Sequence, residues 1–281
     1  MDPKVILTGF ADEGPTTKNV EAQLAMCRGL GLSWYSPRFV NLGGGAKNLM
    51  AATDEELAQI RDLNAAYEMN VSSIGSPLGK VKLLDVDDGT ANRYVPFETY
   101  LETEVAHAID VAKLLGAKLI RGFSFYPPKD DDPRAHVELA AGYLKAIAER
   151  CGQAGLVYGL EVEANLVGRD GRTEMALCEA VDHDALMLIF DGANIARQGY
   201  TRDQVYAEYE AMKDGIGWMH VKDYQLADQQ PAARRHPGFL AARLAALATP
   251  MAGEPLQLSS MDAGCQRQQQ AGDAQDGWLH G

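Results

Sequence analysis

Short apolar runs rich in β-branched and aromatic residues recur along the chain at 5–10, 34–39, 71–75, 118–125, 157–165, 186–191 and 217–224, with amphipathic stretches between them. This alternation is the pattern of repeated βα units; a sandwich would show closely spaced strands without helical intervals. The intervening stretches carry helix-start and helix-stop signals. Thr53 opens a Thr-x-x-Glu capping box closed by Glu56, and Leu57, Ile60 and Leu63 follow at helical spacing. Thr201 starts in the same way with Gln204, while Val105, Ile109 and Ala112 form an apolar face that Gly116 is placed to end.

Seven such units predict an α/β fold, and 281 residues suit one (β/α)8 TIM barrel closed around a single core. The eighth unit must then come from residues 225–281, where the composition changes. That stretch contains no Val, Ile, Tyr or Lys and is crowded with Ala and Gln. A helix over 236–249 and a weak strand over 255–261 are the available pieces, and 266–270 reads as unstructured. The expected organisation is a barrel body of seven units over 1–224, followed by an atypical Ala/Gln-rich segment over 225–281 that is either an irregular eighth unit or a disordered tail.

Composition narrows the function classes. A hydrophobic fraction of 46% with 23% charged residues is that of a folded globular chain. The net charge of −13, without any long Lys/Arg run, repels phosphate backbones and anionic bilayers, so neither nucleic acid nor membrane is an expected partner. Cys27, Cys151, Cys178 and Cys265 are far apart and form no CxxC pair, which argues for reduced thiols. The opening apolar run stops at Asp12 and Glu13, so neither a signal peptide nor a membrane span is expected, and the expected location is cytoplasmic.

The candidate chemistry lies at the strand ends. In a parallel barrel the catalytic groups gather at the C-terminal ends of the strands. Alternation along 157–165 places Glu161, Glu163 and Asn165 on one face and Leu160 and Val162 on the other. Two inward carboxylates survive burial if a divalent cation neutralises them, or if Arg38, Arg121 and Lys222 pair with them. The next run ends in Asp191, with Asn194 just beyond, where the plainer role is a helix N-cap. The last run carries His220 and Lys222 on one face. Glu161, Asp191 and His220 at the ends of three successive strands provide hard oxygens and one imidazole, a set suited to Mn²⁺, Mg²⁺, Co²⁺ or Zn²⁺. His107, His136, His183 and His280 fall in helices, loops or the tail and read as solvated.

At these residues the chain resembles the xylose isomerase-like TIM-barrel superfamily of sugar phosphate isomerases and epimerases, over about 5–224. Asp12-Glu13 is similar to the family's Asp-Glu after strand one, and Ser76-Pro77-Leu78-Gly79-Lys80 to its Ser-Pro-x-Gly-Lys loop. Arg121-Gly122-Phe123-Ser124-Phe125-Tyr126 resembles the fourth strand. Glu161-Val162-Glu163 with Gly168, Asp191-Gly192-Ala193-Asn194, and His220-Val221-Lys222-Asp223 resemble the three that follow.

The resemblance favours Glu161 over Glu163 as the metal ligand, and implies a sugar or sugar phosphate substrate carried through an enediolate. Glu161 and Glu163 are the implied proton-transfer groups, and Arg38, Lys80, Arg121, Asn165, Asn194 and Lys222 the implied substrate contacts. A homo-oligomer fits the same family. The family's fourth ligand, a Glu ending strand eight, has no clear counterpart; Glu254 and Asp262 are the nearest carboxylates. A lyase, dehydratase or hydrolase of this fold, or a sugar-binding remnant without the chemistry, are the alternatives, and an abasic-site endonuclease is disfavoured by the charge.

Overall fold

A computed structural model of the protein describes residues 5–222. Helix α1 (Val20–Gly29) leads into the short strands β1 (Trp34–Tyr35), β2 (Phe39–Val40) and β3 (Lys47–Asn48), and α2 (Asp54–Ala66) into β4 (Asn70–Val71) and β5 (Ser73–Gly75). Next come α3 (Phe97–Tyr100), a π-helical turn at Leu101–Val105, and α4 (Ala106–Leu115). From there the chain alternates through β6 (Leu119–Gly122), α5 (Val137–Gln153), β7 (Val157–Glu161), α6 (Gly171–Val181) and β8 (Leu186–Asp191). The last elements are α7 (Gly192–Ala196), α8 (Arg202–Met212) and β9 (Ile216–His220).

The strands β5-β6-β7-β8-β9 form one parallel sheet in sequence order, the arc of a half-barrel, and β1 pairs in parallel with β4. Among the described residues only β2 and β3 pair antiparallel. Helical crossovers between parallel strands put helices on the outer face, so the central strands are buried and mainly apolar, with Arg121, Glu161 and Asp191 as their charged members. β6 is buried along its length, and Leu144 and Ile147 of α5 and Leu177 and Val181 of α6 are fully enclosed.

The helix boundaries follow the expected chemistry. Thr53 with Glu56 and Thr201 with Gln204 form reciprocal capping boxes. Gly116 ends α4 at φ 73°, a left-handed value that a side chain would oppose.

Several expected strands depart from the pattern: 34–39 pairs in β1 only over Trp34–Tyr35, and 71–75 is divided between β4 and β5, which belong to different sheets. Residues 5–9 form no strand: Phe10 makes only an isolated bridge to Ser36, and Val5, Ile6 and Leu7 are 82%, 49% and 72% exposed. An apolar run becomes a strand only where a neighbour receives its backbone, and Ser36 N–H donating to Gly9 O at 2.8 Å is the one sheet-like hydrogen bond there among the described residues. The run 118–125 pairs only over Leu119–Gly122, because Phe125 turns to φ 72°. The run 157–165 ends at Glu161, so alternation stops governing the residues after it. The eighth unit expected in 225–281, with its strand at 255–261, lies outside the described residues. Among the described residues, no helix is long and apolar enough to cross a membrane.

Candidate metal centre

Parallel pairing of β7, β8 and β9 brings their C-terminal ends together: Glu161 lies opposite Ile189, and Asp191 opposite His220. One ligand atom each from Glu161, Asp191 and His220 lies within 4.8 Å of the other two. Asp191 serves two purposes. Its Oδ1 caps α7 by accepting the N–H groups of Ala193 (3.1 Å) and Asn194 (3.0 Å), which fixes the rotamer and turns Oδ2 into the site. That Oδ2 is fully buried and accepts no hydrogen bond, while Lys222 Nζ approaches it to 2.7 Å as an ion pair.

Glu161 is just as closely held. Its Oε1 lies 3.0 Å from His220 Nδ1 and accepts from Asn194 Nδ2 at 3.3 Å; its Oε2 lies 3.2 Å from Arg121 Nε. Asn194 completes the frame, donating to Val162 O at 3.1 Å and accepting from Lys222 Nζ at 3.0 Å. Burial pushes the Glu161 carboxyl up, but Arg121 and then His220 outweigh it and bring the group down to about 2. Burial favours the neutral imidazole of His220, yet the neighbouring carboxylates of Asp191 and Glu161 prevail and raise its pKa.

The cations opposite are stacked on aromatic rings. Arg38 lies 4.6 Å from the centroid of Phe10, Arg121 lies 5.3 Å from Phe10 and 4.6 Å from Phe123, and Lys80 lies 4.3 Å from Phe123. Phe10 also meets the His220 ring edge-on at 5.1 Å. The result is an alternating ladder of charge and ring that stiffens long side chains and shields them from water. Burial lowers the Lys80 pKa against the pull of Glu163, and that of Arg121 against the pull of Glu161.

The structure brings together Glu161, Asp191, His220, Arg121, Asn194 and Lys222. Glu163 sits beside them, half-buried, with Oε2 3.5 Å from Lys80 Nζ. Arg38 is engaged elsewhere, at 2.9 Å from Asp12 and 3.1 Å from Glu13. Asn165 is not part of the cluster: it is exposed in a left-handed turn at φ 64°, because the strand has already ended. His107 and His183 hydrogen-bond to backbone groups of Met50 and Ala185, and His136 pairs with Asp131, so these histidines are anchored rather than freely solvated. Phe10 and Phe123 escape sequence reasoning, since a ring in a strand reads as core.

The donors fit a divalent cation. Two carboxylates and one imidazole converge, and a buried Asp191 oxygen accepts no hydrogen bond. Arg121 and Lys222 already supply part of the neutralising charge, which moderates the demand for an ion without filling its place.

Comparison with known proteins decides the family. Residues 26–240 match the family described as xylose isomerase-like TIM barrel. The chain belongs to that family. Similar solved structures include a xylose isomerase-like TIM barrel protein from Mycobacterium smegmatis in complex with magnesium, at 21% identity and TM-score 0.58 over 78% of this chain and 75% of that one. The probable 3-DHS dehydratase AsbF, involved in petrobactin synthesis in Bacillus anthracis, matches at 16% identity and TM-score 0.59 over 80% and 76%. D-allulose 3-epimerase from a Methylomonas species matches at 16% and 0.57 over 79% and 74%. A comparison with curated proteins found no match. At these identities the likeness is one of fold, shared by epimerases and a dehydratase.

Proposed function

We propose that this member of the xylose isomerase-like family is a divalent-metal-dependent sugar or sugar phosphate isomerase or epimerase, with its chemistry in the body spanning 1–224. The observation that carries the reading is the convergence of Glu161, Asp191 and His220 within 4.8 Å at the ends of three adjacent strands. These residues would hold the ion, which when bound polarises a carbonyl and its neighbouring hydroxyl.

The chain's own groups perform the rest. Arg121, fixed between two rings and paired with Glu161, keeps that carboxylate ionised and aimed. Asn194 and Lys222 offer donors to substrate oxygens beside it. Glu163, half-buried and 3.5 Å from Lys80, would take a proton from a carbon next to a carbonyl, giving an enediolate whose negative charge Lys80 and Arg121 would offset. A second proton-transfer group is required to return the proton on the opposite face. The candidates Glu254 and Asp262 lie outside the described residues. Without such a partner, turnover would be weak even where the first proton transfer proceeds.

The test is to incubate the protein with Mn²⁺ and a panel of ketoses and ketose phosphates in deuterated water, following both deuterium uptake at carbon and interconversion. The proposal expects uptake on at least one sugar, abolished by E161Q. Loss of water from a substrate without isomerisation would instead favour the dehydratase chemistry found within this fold.

A further inference from the structure

A second cavity, of about 250 Å³, lies outside the metal centre and is lined by Asp132, Arg134, Arg169, Asp170, Thr173 and Tyr200. These residues come from three successive connections that follow β6, β7 and β8. They therefore lie on the same C-terminal face of the sheet as Glu161, Asp191 and His220, where barrels of this kind build their sites from βα loops.

Each carboxylate of the cavity has one oxygen engaged within its own turn. Asp170 Oδ1 accepts both the N–H and the hydroxyl of Thr173 at 2.9 Å, and Asp132 Oδ1 accepts the N–H of Arg134 at 3.0 Å. The arginines are differently placed. Arg169 is half-buried, and its Nε donates to Gln198 Oε1 at 3.2 Å, leaving both η nitrogens without a partner among the described residues. Arg134 lines the same cavity and is exposed, likewise without an ion pair among the described residues. By contrast Arg38, Lys80, Arg121 and Lys222 are each ion-paired.

Gln198 also makes the arrangement stiff. Its Nε2 donates to Arg169 O at 2.7 Å and to Asn194 O at 3.3 Å, and Asn194 in turn donates to Glu161. The Arg169 fork is thus held by the residue that ties it to the frame of the metal centre. A guanidinium oriented through Nε, its two η nitrogens without a partner among the described residues and a second arginine lining the same cavity, suits the planar, bidentate geometry of a carboxylate or phosphate.

The geometry points to an oxyanion subsite in this cavity, gripped by Arg169 and Arg134, with the Tyr200 hydroxyl as a further donor. The inference stands on the cavity itself and does not depend on metal binding or isomerase activity. The oxyanion is either a free ion or the phosphate of a substrate that also reaches the metal centre.

The experiment titrates the full metal-free chain with inorganic phosphate at constant ionic strength, by calorimetry. Saturable binding, weakened at least tenfold in R169M and in R134M and less in R169K, supports the subsite; near-ultraviolet circular dichroism confirms that each variant is folded. Adding a ketose phosphate then separates the two sources. Binding at least tenfold tighter than inorganic phosphate, with the advantage lost in R169M, assigns the cavity to a substrate's phosphate, and equal binding assigns it to the free ion. No saturable binding, or binding that ignores Arg169 and Arg134 but falls in K80M or K222M, overturns the inference.

Discussion

Lys222 Nζ stands 2.7 Å from Asp191 Oδ2, the oxygen that a cation in this site would take. A lysine so placed competes with the ion for one carboxylate while offering a donor to bound substrate. The Lys222 side chain is 43% exposed, so solvent screens most of its field and the competition is worth roughly 0.5–1 kcal/mol. K222M is expected to bind Mn²⁺ about two- to fivefold more tightly, by that same energy, yet to turn over any substrate more slowly. Weaker binding of Mn²⁺ in K222M would show that the lysine supports the site instead of competing for it.

The pH dependence follows from two shifted groups. His220 in the metal-free protein has a pKa raised above its ordinary 6.5, so its contribution to stability is present below 6.5 and lost as pH rises through the folded value. Glu161, lowered from 4.5 to about 2, contributes above 4.5 and loses that contribution as pH falls toward 2. These two groups together favour the metal-free fold most between 4.5 and 6.5. A cation requires neutral His220, so metal affinity should rise with pH through the raised pKa. Thermal melts with and without Mn²⁺ across that range should show the stabilisation by metal growing with pH. A metal-induced shift in melting temperature that stays constant from about pH 6 to about pH 8, the region around the ordinary histidine value, would contradict this.

Gly79 is expected to tolerate no side chain. It sits at φ 85°, and a Cβ there would lie 1.9 Å from the carbonyl oxygen of Phe123, a backbone atom that cannot move aside cheaply. Its N–H is also bound by the Tyr100 hydroxyl at 2.7 Å. Left-handed strain plus the clash should cost G79A on the order of 3 kcal/mol or more, a fall in melting temperature of several degrees for a domain of this size. An unchanged melting temperature would mean that the loop carrying Lys80 gives way to admit a side chain.

Much of this was legible in the sequence because it rests on local rules. Capping boxes at Thr53 and Thr201 and the stop at Gly116 depend on a few adjacent residues, and the structure shows all three. Glu161, Asp191 and His220 could be placed together because each ends a strand, and parallel pairing aligns such ends. Asn165 was misplaced by the same logic carried too far, since alternation holds only while the strand lasts and this one stops at Glu161. Residues 5–9 show the other limit. Their β propensity is local, but a strand also requires a neighbour in space. The ladder through Phe10 and Phe123 joins side chains more than a hundred residues apart, and no spacing rule reveals it.

Glu163 separates the metal's ligands from their neighbours. It lies beside the triad and pairs with Lys80, outside the group whose ligand atoms converge. E163Q should therefore retain the ion with affinity within a fewfold of the parent while losing proton transfer. Retention of metal by E161Q and its loss in E163Q would reverse the two roles.

The central claim is that Glu161, Asp191 and His220 form a divalent metal site, and calorimetric titration of the metal-free chain with Mn²⁺ tests it most directly. The account predicts about one ion per chain, from one convergent set of donors, with affinity lost or reduced at least tenfold in E161Q, D191N and H220A taken singly. No saturable binding by the parent chain, or the same stoichiometry and affinity in all three variants, would contradict it.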